Sequence, residues 1–235
     1  LGQARDTRPA LAHRHAGPVR ALLDLVMPPH CAGCGREDAV LCEGCRAPLR
    51  RRLGEPPGVP LGMPASLPPG IVQLEWCAAY SGTVRTTLHD FKYRGERRLR
   101  EPLAEELAAR WRAVGRGGDV LTWVPVHASR RRERGFDQAE ELARAMATRL
   151  GLPARPWLMR RQRTTAQHGL GHAARASNTA GVFTTAPAAE QDIAGRWVVV
   201  VDDIVTTGAT LAGCAAALLE AGAGAVSAVT VARDR

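Results

Sequence analysis

Lysine is scarce in this chain: of 32 basic residues, Lys92 is the one lysine and the rest are arginine. A Walker A phosphate loop is therefore excluded, because its lysine must precede Ser or Thr and Lys92 precedes Tyr93. Long hydrophobic runs are also missing. None approaches the roughly 18 residues that a membrane-spanning helix requires. An N-terminal candidate, Ala21 to Met27, is short, contains Asp24 and lacks a signal-peptide cleavage pattern. These absences predict a cytoplasmic protein with no membrane span. The seven histidines show no metal-ligand spacing. Gly169 to Ala174 has the outline of a dinucleotide fingerprint, but no strand pattern precedes it, so that reading is discarded.

At 235 residues there is room for one α/β domain of ordinary size plus a small module. The net charge of +9 and pI near 10.2 favour an anionic partner, such as nucleic acid or a polyphosphate. The abundance of Ala, Arg, Gly and Pro also fits a coding bias, so basicity alone decides little.

The chain is organised around Val198 to Leu211, VVVVDDIVTTGATL. Four valines in a row suit a strand buried on both faces of a parallel sheet. Asp202 and Asp203 end the run. A small hydroxylated loop follows, and Leu211, Ala215, Leu218 and Leu219 then keep helical spacing up to Gly222. Ligands of open α/β sheets bind at the carboxyl ends of strands. A loop entering a helix there offers free amides and the positive end of the helix dipole, which suit a phosphate. Gly208 permits close backbone approach. The carboxylates suit vicinal sugar hydroxyls, directly or through a divalent cation. A phosphate beside a diol describes a ribose 5-phosphate.

Six cysteines in a cytoplasmic protein point to metal rather than disulfides. Cys31 and Cys34 form one CxxC, and Cys42 and Cys45 form a second after a gap of seven residues. Four thiolates in two tight turns predict a structural zinc knuckle with no open coordination position. Unligated buried cysteines or a redox pair are the alternatives.

Around these motifs, residues 1–17 read as a disordered arm and 18–48 as a helix followed by the knuckle. Residues 49–74, rich in proline and arginine, read as a linker, and 75–235 as the globular domain. Helices are expected over Thr83 to Phe91 and from Pro102 to about Gly115, and a strand over Asp119 to Val126. Arg130, Arg131, Arg132 and Arg134 then occupy four of five positions in what reads as a basic loop. Its place at a strand's carboxyl end makes these arginines candidates for diphosphate oxygens, against a plain solvated charge run. Lys92 is a candidate ligand contact, or simply the lysine that survived the bias. Pro187 to Asp192 reads as a polar turn and Ala225 to Ala232 as a final strand.

VVVVDDIVTTGAT resembles the 13-residue PRPP-binding motif of type I phosphoribosyltransferases. The paired CxxC motifs, FKYRG, WVPVHASRRRERGFDQAEELA and the PRPP motif, in this order, resemble the ComF family of competence-associated proteins from about Leu22 onward. Members of that family usually carry Asn where this chain has Asp137. The resemblance implies a type I phosphoribosyltransferase-like α/β domain, mainly parallel sheet with helices on both faces, plus the N-terminal zinc knuckle. It implies catalytic carboxylates Asp202 and Asp203, and a phosphate loop of Val205, Thr206, Thr207, Gly208, Ala209 and Thr210. Mg2+ would accompany PRPP, and Arg130, Arg131, Arg132, Arg134 and Lys92 would hold the diphosphate. Leu158 to Phe183 would be a mobile loop carrying Arg160, Arg163, Thr164, Gln167, Arg175 and Asn178. A role in DNA uptake is implied, with single-stranded DNA and a competence helicase as partners. The alternative is a non-catalytic accessory protein for DNA uptake. No base-recognition signature names the acceptor.

Overall fold

The computed structural model describes residues 28–37, 39–58, 67–161 and 181–234. The predicted helix after Pro18 lies outside them. The strands are β1 (Gln73–Ala79), β2 (Val120–Trp123), β3 (Leu158–Arg160), β4 (Phe183–Thr185), β5 (Trp197–Val205) and β6 (Ala225–Arg233). Four of them form a parallel sheet in the order β1-β6-β5-β2, and β3 pairs with β4 as an antiparallel ribbon. The helices are α1 (Glu43–Arg50), α2 (Gly82–Tyr93), α3 (Arg100–Val114), α4 (Ala128–Arg134), α5 (Gln138–Leu150), α6 (Glu190–Ile193) and α7 (Ala209–Glu220).

β5 occupies the centre because its valines are apolar on both sides. Val198 to Val201 are fully buried and pair with Val120 to Trp123 on one edge and Val226 to Val229 on the other. Side chains alternate along a strand. Val199 and Val201 join Leu103, Leu107, Leu142 and Met146 of α3 and α5. Val198 and Val200 join Leu211, Cys214 and Leu218 of α7, together with Phe183 and Ile193. The sheet is therefore covered on both faces, as the sequence predicts. The boundaries of α5 are set by its flanking residues: Asp137 caps it by accepting from the Glu140 amide at 3.2 Å, and Gly151 ends it at φ 70°.

The region expected to be a linker is partly structured. Residues 49–50 are the end of α1 and 51–54 a 3-10 turn, with Leu49 and Arg52 buried. The cause is a polar anchor absent from any hydrophobic pattern. Arg110 of α3, fully buried, pairs with the equally buried Glu75 of β1 at 2.7 Å and donates to the Glu55 and Pro56 carbonyls. Arg52 stacks on Trp76 with its guanidinium 3.7 Å from the ring centre. Removing one partner of such a buried pair typically costs about 3–5 kcal/mol. The knuckle is docked by the same means. Arg46 and Arg50 both donate to Glu106 of α3 at 2.9 Å, and Cys31, Leu41, Cys45 and Leu49 belong to the core under α2 and α3. Residues 187–192, expected as a turn, include the short helix α6. Among the described residues no helix is long and apolar enough to cross a membrane.

Candidate functional site

A cleft of about 480 Å³ opens at the carboxyl ends of β2 and β5. Its floor is Asp202 and Asp203 of β5 with Thr210 of α7. One wall is the turn Val124 to His127 with Arg130 and Arg134 of α4 and Gln138 of α5. Lys92 of α2 and Arg160 of β3 complete it. Four cationic side chains thus face two carboxylates, and the surplus suits an anionic ligand.

The loop after β5 presents unused donors. Thr206 and Thr207 are exposed, and the amides of Thr206, Thr207 and Gly208 have no acceptor among the described residues. Val205 is instead the buried last residue of β5, so its side chain belongs to the core. Gly208 precedes α7 at φ 80°, a conformation that favours glycine. The space a Cβ would occupy there is filled by protein: it would lie 2.5 Å from Pro68 Cγ. The absent side chain therefore admits Pro68, where the sequence reading reserved it for close approach of a ligand.

The strand runs on through both carboxylates to Val205 rather than stopping at Asp202. Asp203 receives Lys92 Nζ at 2.9 Å, and Asp202 accepts from the Asp203 amide at 2.8 Å. Lys92 thus balances a carboxylate while still lining the cleft. Burial pushes the Asp202 carboxyl well above the usual carboxylate range, and the Asp203 charge adds to the effect. The positive charge of a divalent cation beside the two carboxylates would relieve both penalties. Two carboxylates are too few for an all-protein cage, but they fit Mg2+, which keeps most of its water and ligand oxygens.

The four arginines do not form a loop. They form α4, which His127 caps by accepting from the Ser129 amide and Gly135 ends at φ 76°. On a helix, residues four apart share a face. Arg130 and Arg134 accordingly line the cleft. Arg131 turns to Glu140 at 3.4 Å in a neighbouring cleft, and Arg132 is exposed and lines neither. Arg134 also lies over the exposed Tyr93 ring, 4.7 Å from its centre, and donates to Gln138 Oε1 at 2.9 Å. Asp137 uses both carboxylate oxygens on backbone amides, Val126 and Glu140 at 3.2 Å each. That accounts for an acceptor at this position without any ligand.

Arg160, expected in a mobile loop, is the last residue of β3, where its guanidinium sits over Phe183. Arg163, Thr164, Gln167, Arg175 and Asn178 lie outside the described residues. His127 and Gln138 line the cleft unannounced by the sequence, since each is a solitary polar residue beside a louder motif.

At the other end, the Sγ atoms of Cys31, Cys34, Cys42 and Cys45 all lie within 4.8 Å of one another. Sulfurs tetrahedrally bound to zinc at ~2.3 Å stand about 3.8 Å apart; Cys34 and Cys42 Sγ are 3.7 Å apart. Gly33 makes the closure feasible, because a Cβ there would meet Cys45 Sγ at 2.6 Å. Burial would raise the Cys31 thiol, but amide hydrogen bonds, from Cys42 first, outweigh it and hold the group near 6. Burial, with the neighbouring cysteines adding to it, pushes the Cys45 thiol up instead, so a bound cation is what would let all four stand as thiolates.

The phosphoribosyl transferase domain family matches residues 136–235. The DNA utilization protein YhgH of Salmonella typhimurium LT2 is 31% identical over 202 residues, covering 83% of this chain and 85% of that protein. The protein of the same name from Escherichia coli K12 is 30% identical over 202 residues with the same coverage. Two solved structures are similar over 57% of this chain and 26% of their own, each with a TM-score of 0.41. They are the allosteric regulatory enzyme of purine biosynthesis, at 22% identity, and glutamine PRPP amidotransferase from B. subtilis with ADP and GMP, at 23%. With a parallel α/β domain, a four-cysteine cluster and relatives matched over four-fifths of its length, the chain belongs to the ComF-like family of type I phosphoribosyltransferase-domain proteins.

Proposed function

We propose that the cleft binds PRPP with Mg2+ and transfers its phosphoribosyl group to an acceptor. The carrying observation is that the two carboxylates of β5, Thr210 in the first turn of α7 and two arginines of α4 line one cavity. The 5-phosphate sits on the amides of Thr206 to Thr210. Asp202 and Asp203 face the ribose hydroxyls, and Arg130 and Arg134 face the diphosphate. Asp202 and Asp203 would hold Mg2+ through water, and the ion would supply positive charge against the diphosphate. In the reaction the bond from C1 to the diphosphate oxygen breaks as the acceptor's lone pair attacks C1. The protein's part is to fix the ribose and neutralise the leaving group. Isothermal titration with PRPP and Mg2+ tests binding, and diphosphate release over a panel of nucleobases, amines and DNA tests turnover. Absent PRPP binding rejects the reading.

The relatives' name, DNA utilization protein, supports a DNA-linked role; we propose single-stranded DNA and a helicase as its partners. PRPP binding with no diphosphate release across the panel would instead favour the accessory role without turnover. The cysteine cluster is proposed to hold one structural Zn2+, consistent with a reducing, cytoplasmic setting. Elemental analysis should give one zinc per chain, and chelation should lower Tm by ten degrees or more, because two of its sulfurs are part of the core.

A further inference from the structure

Gln138 is nearly fully buried at the first turn of α5, yet it lines the cleft. Its amide orientation is fixed by chemistry. Arg134 Nη1 can only donate, so the Gln138 atom 2.9 Å from it must be the oxygen. Nε2 is thereby turned away, and it has no acceptor among the described residues. Arg134 Nε is in the same condition: buried, a donor and unpartnered. Two such donors on adjoining, hydrogen-bonded side chains are costly to leave unmade. Both demand an acceptor, and the guanidinium favours an anionic one. The carboxylates on the floor repel anions, so the acceptor belongs at the α4 wall.

We propose that Gln138 is a diphosphate-binding residue that works as a unit with Arg134, and that it selects a diphosphate-bearing sugar over a monophosphate. The inference rests on the PRPP reading. Both nitrogens lie just out of solvent reach, so the ligand engages them after a side-chain rotation, a common adjustment on binding. Gln138 Oε1 keeps the guanidinium oriented, while Nε2 adds a second donor to the diphosphate oxygens.

The test is titration of the full-length, zinc-loaded protein with inorganic pyrophosphate, PRPP and ribose 5-phosphate, each with Mg2+. Gln138→Glu keeps the shape and the acceptor for Arg134 but replaces the donor with an acceptor. It should weaken pyrophosphate and PRPP about ten- to hundredfold and leave ribose 5-phosphate within twofold. Gln138→Met, which removes both polar atoms, should do the same. Should Gln138→Met fail to fold, Gln138→Glu decides alone. Unchanged pyrophosphate affinity in Gln138→Glu overturns the inference and leaves the PRPP reading standing. An equal loss for all three ligands also overturns it, by exposing a merely structural role. A wild-type protein that binds pyrophosphate in a Gln138-dependent way but ignores PRPP and ribose 5-phosphate supports the subsite and rejects the transferase. No binding of any ligand overturns both.

Discussion

Two clefts flank α4, alike in size and in their number of lysine and arginine side chains, and opposite in how those charges are settled. The first, of about 480 Å³, holds Arg130, Arg134, Arg160 and Lys92, and of these only Lys92 has a carboxylate partner among the described residues. The second, of about 450 Å³, holds Arg97, Arg100, Arg131 and Arg144, and each is paired: Arg97 and Arg100 with Glu141, Arg131 and Arg144 with Glu140. Counting lysines and arginines together does not distinguish them. What distinguishes them is unmatched charge: one wall waits for an anion, and the other has been closed by the protein's own glutamates.

The contrast breaks most directly at the carboxylates. Asp202→Asn with Asp203→Asn should weaken PRPP–Mg2+ binding by about a hundredfold or more, whereas Glu140→Gln with Glu141→Gln should leave it within twofold. Equal effects in titration calorimetry would erase the distinction. Next come the arginines of α4. Arg130→Ala or Arg134→Ala should each cost about ten- to hundredfold in PRPP affinity, and Arg131→Ala or Arg132→Ala less than about twofold.

Smaller effects sharpen the comparison through stability. The Asp202 carboxyl is raised, so the folded state holds its proton above the unfolded value, and stability falls as pH rises through that range. Asp202→Asn should therefore raise Tm by about 2–4 °C at pH 7, with the gain disappearing below about pH 4. A lower Tm at pH 7 in thermal melts would contradict the buried-acid account. In the second cleft the sign reverses. Burial alone would raise Glu141, but hydrogen bonds from Arg100 and Arg97 hold it lowered. That stability is present above the unfolded value and is lost as pH falls through the folded one. Arg100→Ala should cost less than about 1 kcal/mol at neutral pH, because the arginine is two-fifths exposed. Below about pH 4 the cost should vanish, which paired melts would reveal.

Much of the central architecture was legible because it is written in apolar residues. The valines of β5, the Leu103-Leu107-Trp111 face of α3 and the small-residue loop before α7 all declare themselves by pattern. α4 was not legible as a helix, since it has no apolar stripe and its residues are held by a histidine cap and a glycine stop. Without the helix, the division of its arginines between two clefts could not be seen. Arg110 and Glu75 were invisible for a related reason: charged residues signal surface in a sequence, and only packing makes them an interior anchor. Gln138 carries no pattern at all; its significance is the partner it lacks.

The proline ring of Pro68, seated where Gly208 has no side chain, ties the mouth of the cleft to a stretch whose composition says spacer. A polypeptide trimmed to begin at Glu75 would retain every letter of the β5–α7 signature and yet lose the wedge that shapes it. The same stretch touches α7 again at Gly70, beside Ala215 and Leu219, so the presentation of these amides depends on backbone outside the signature.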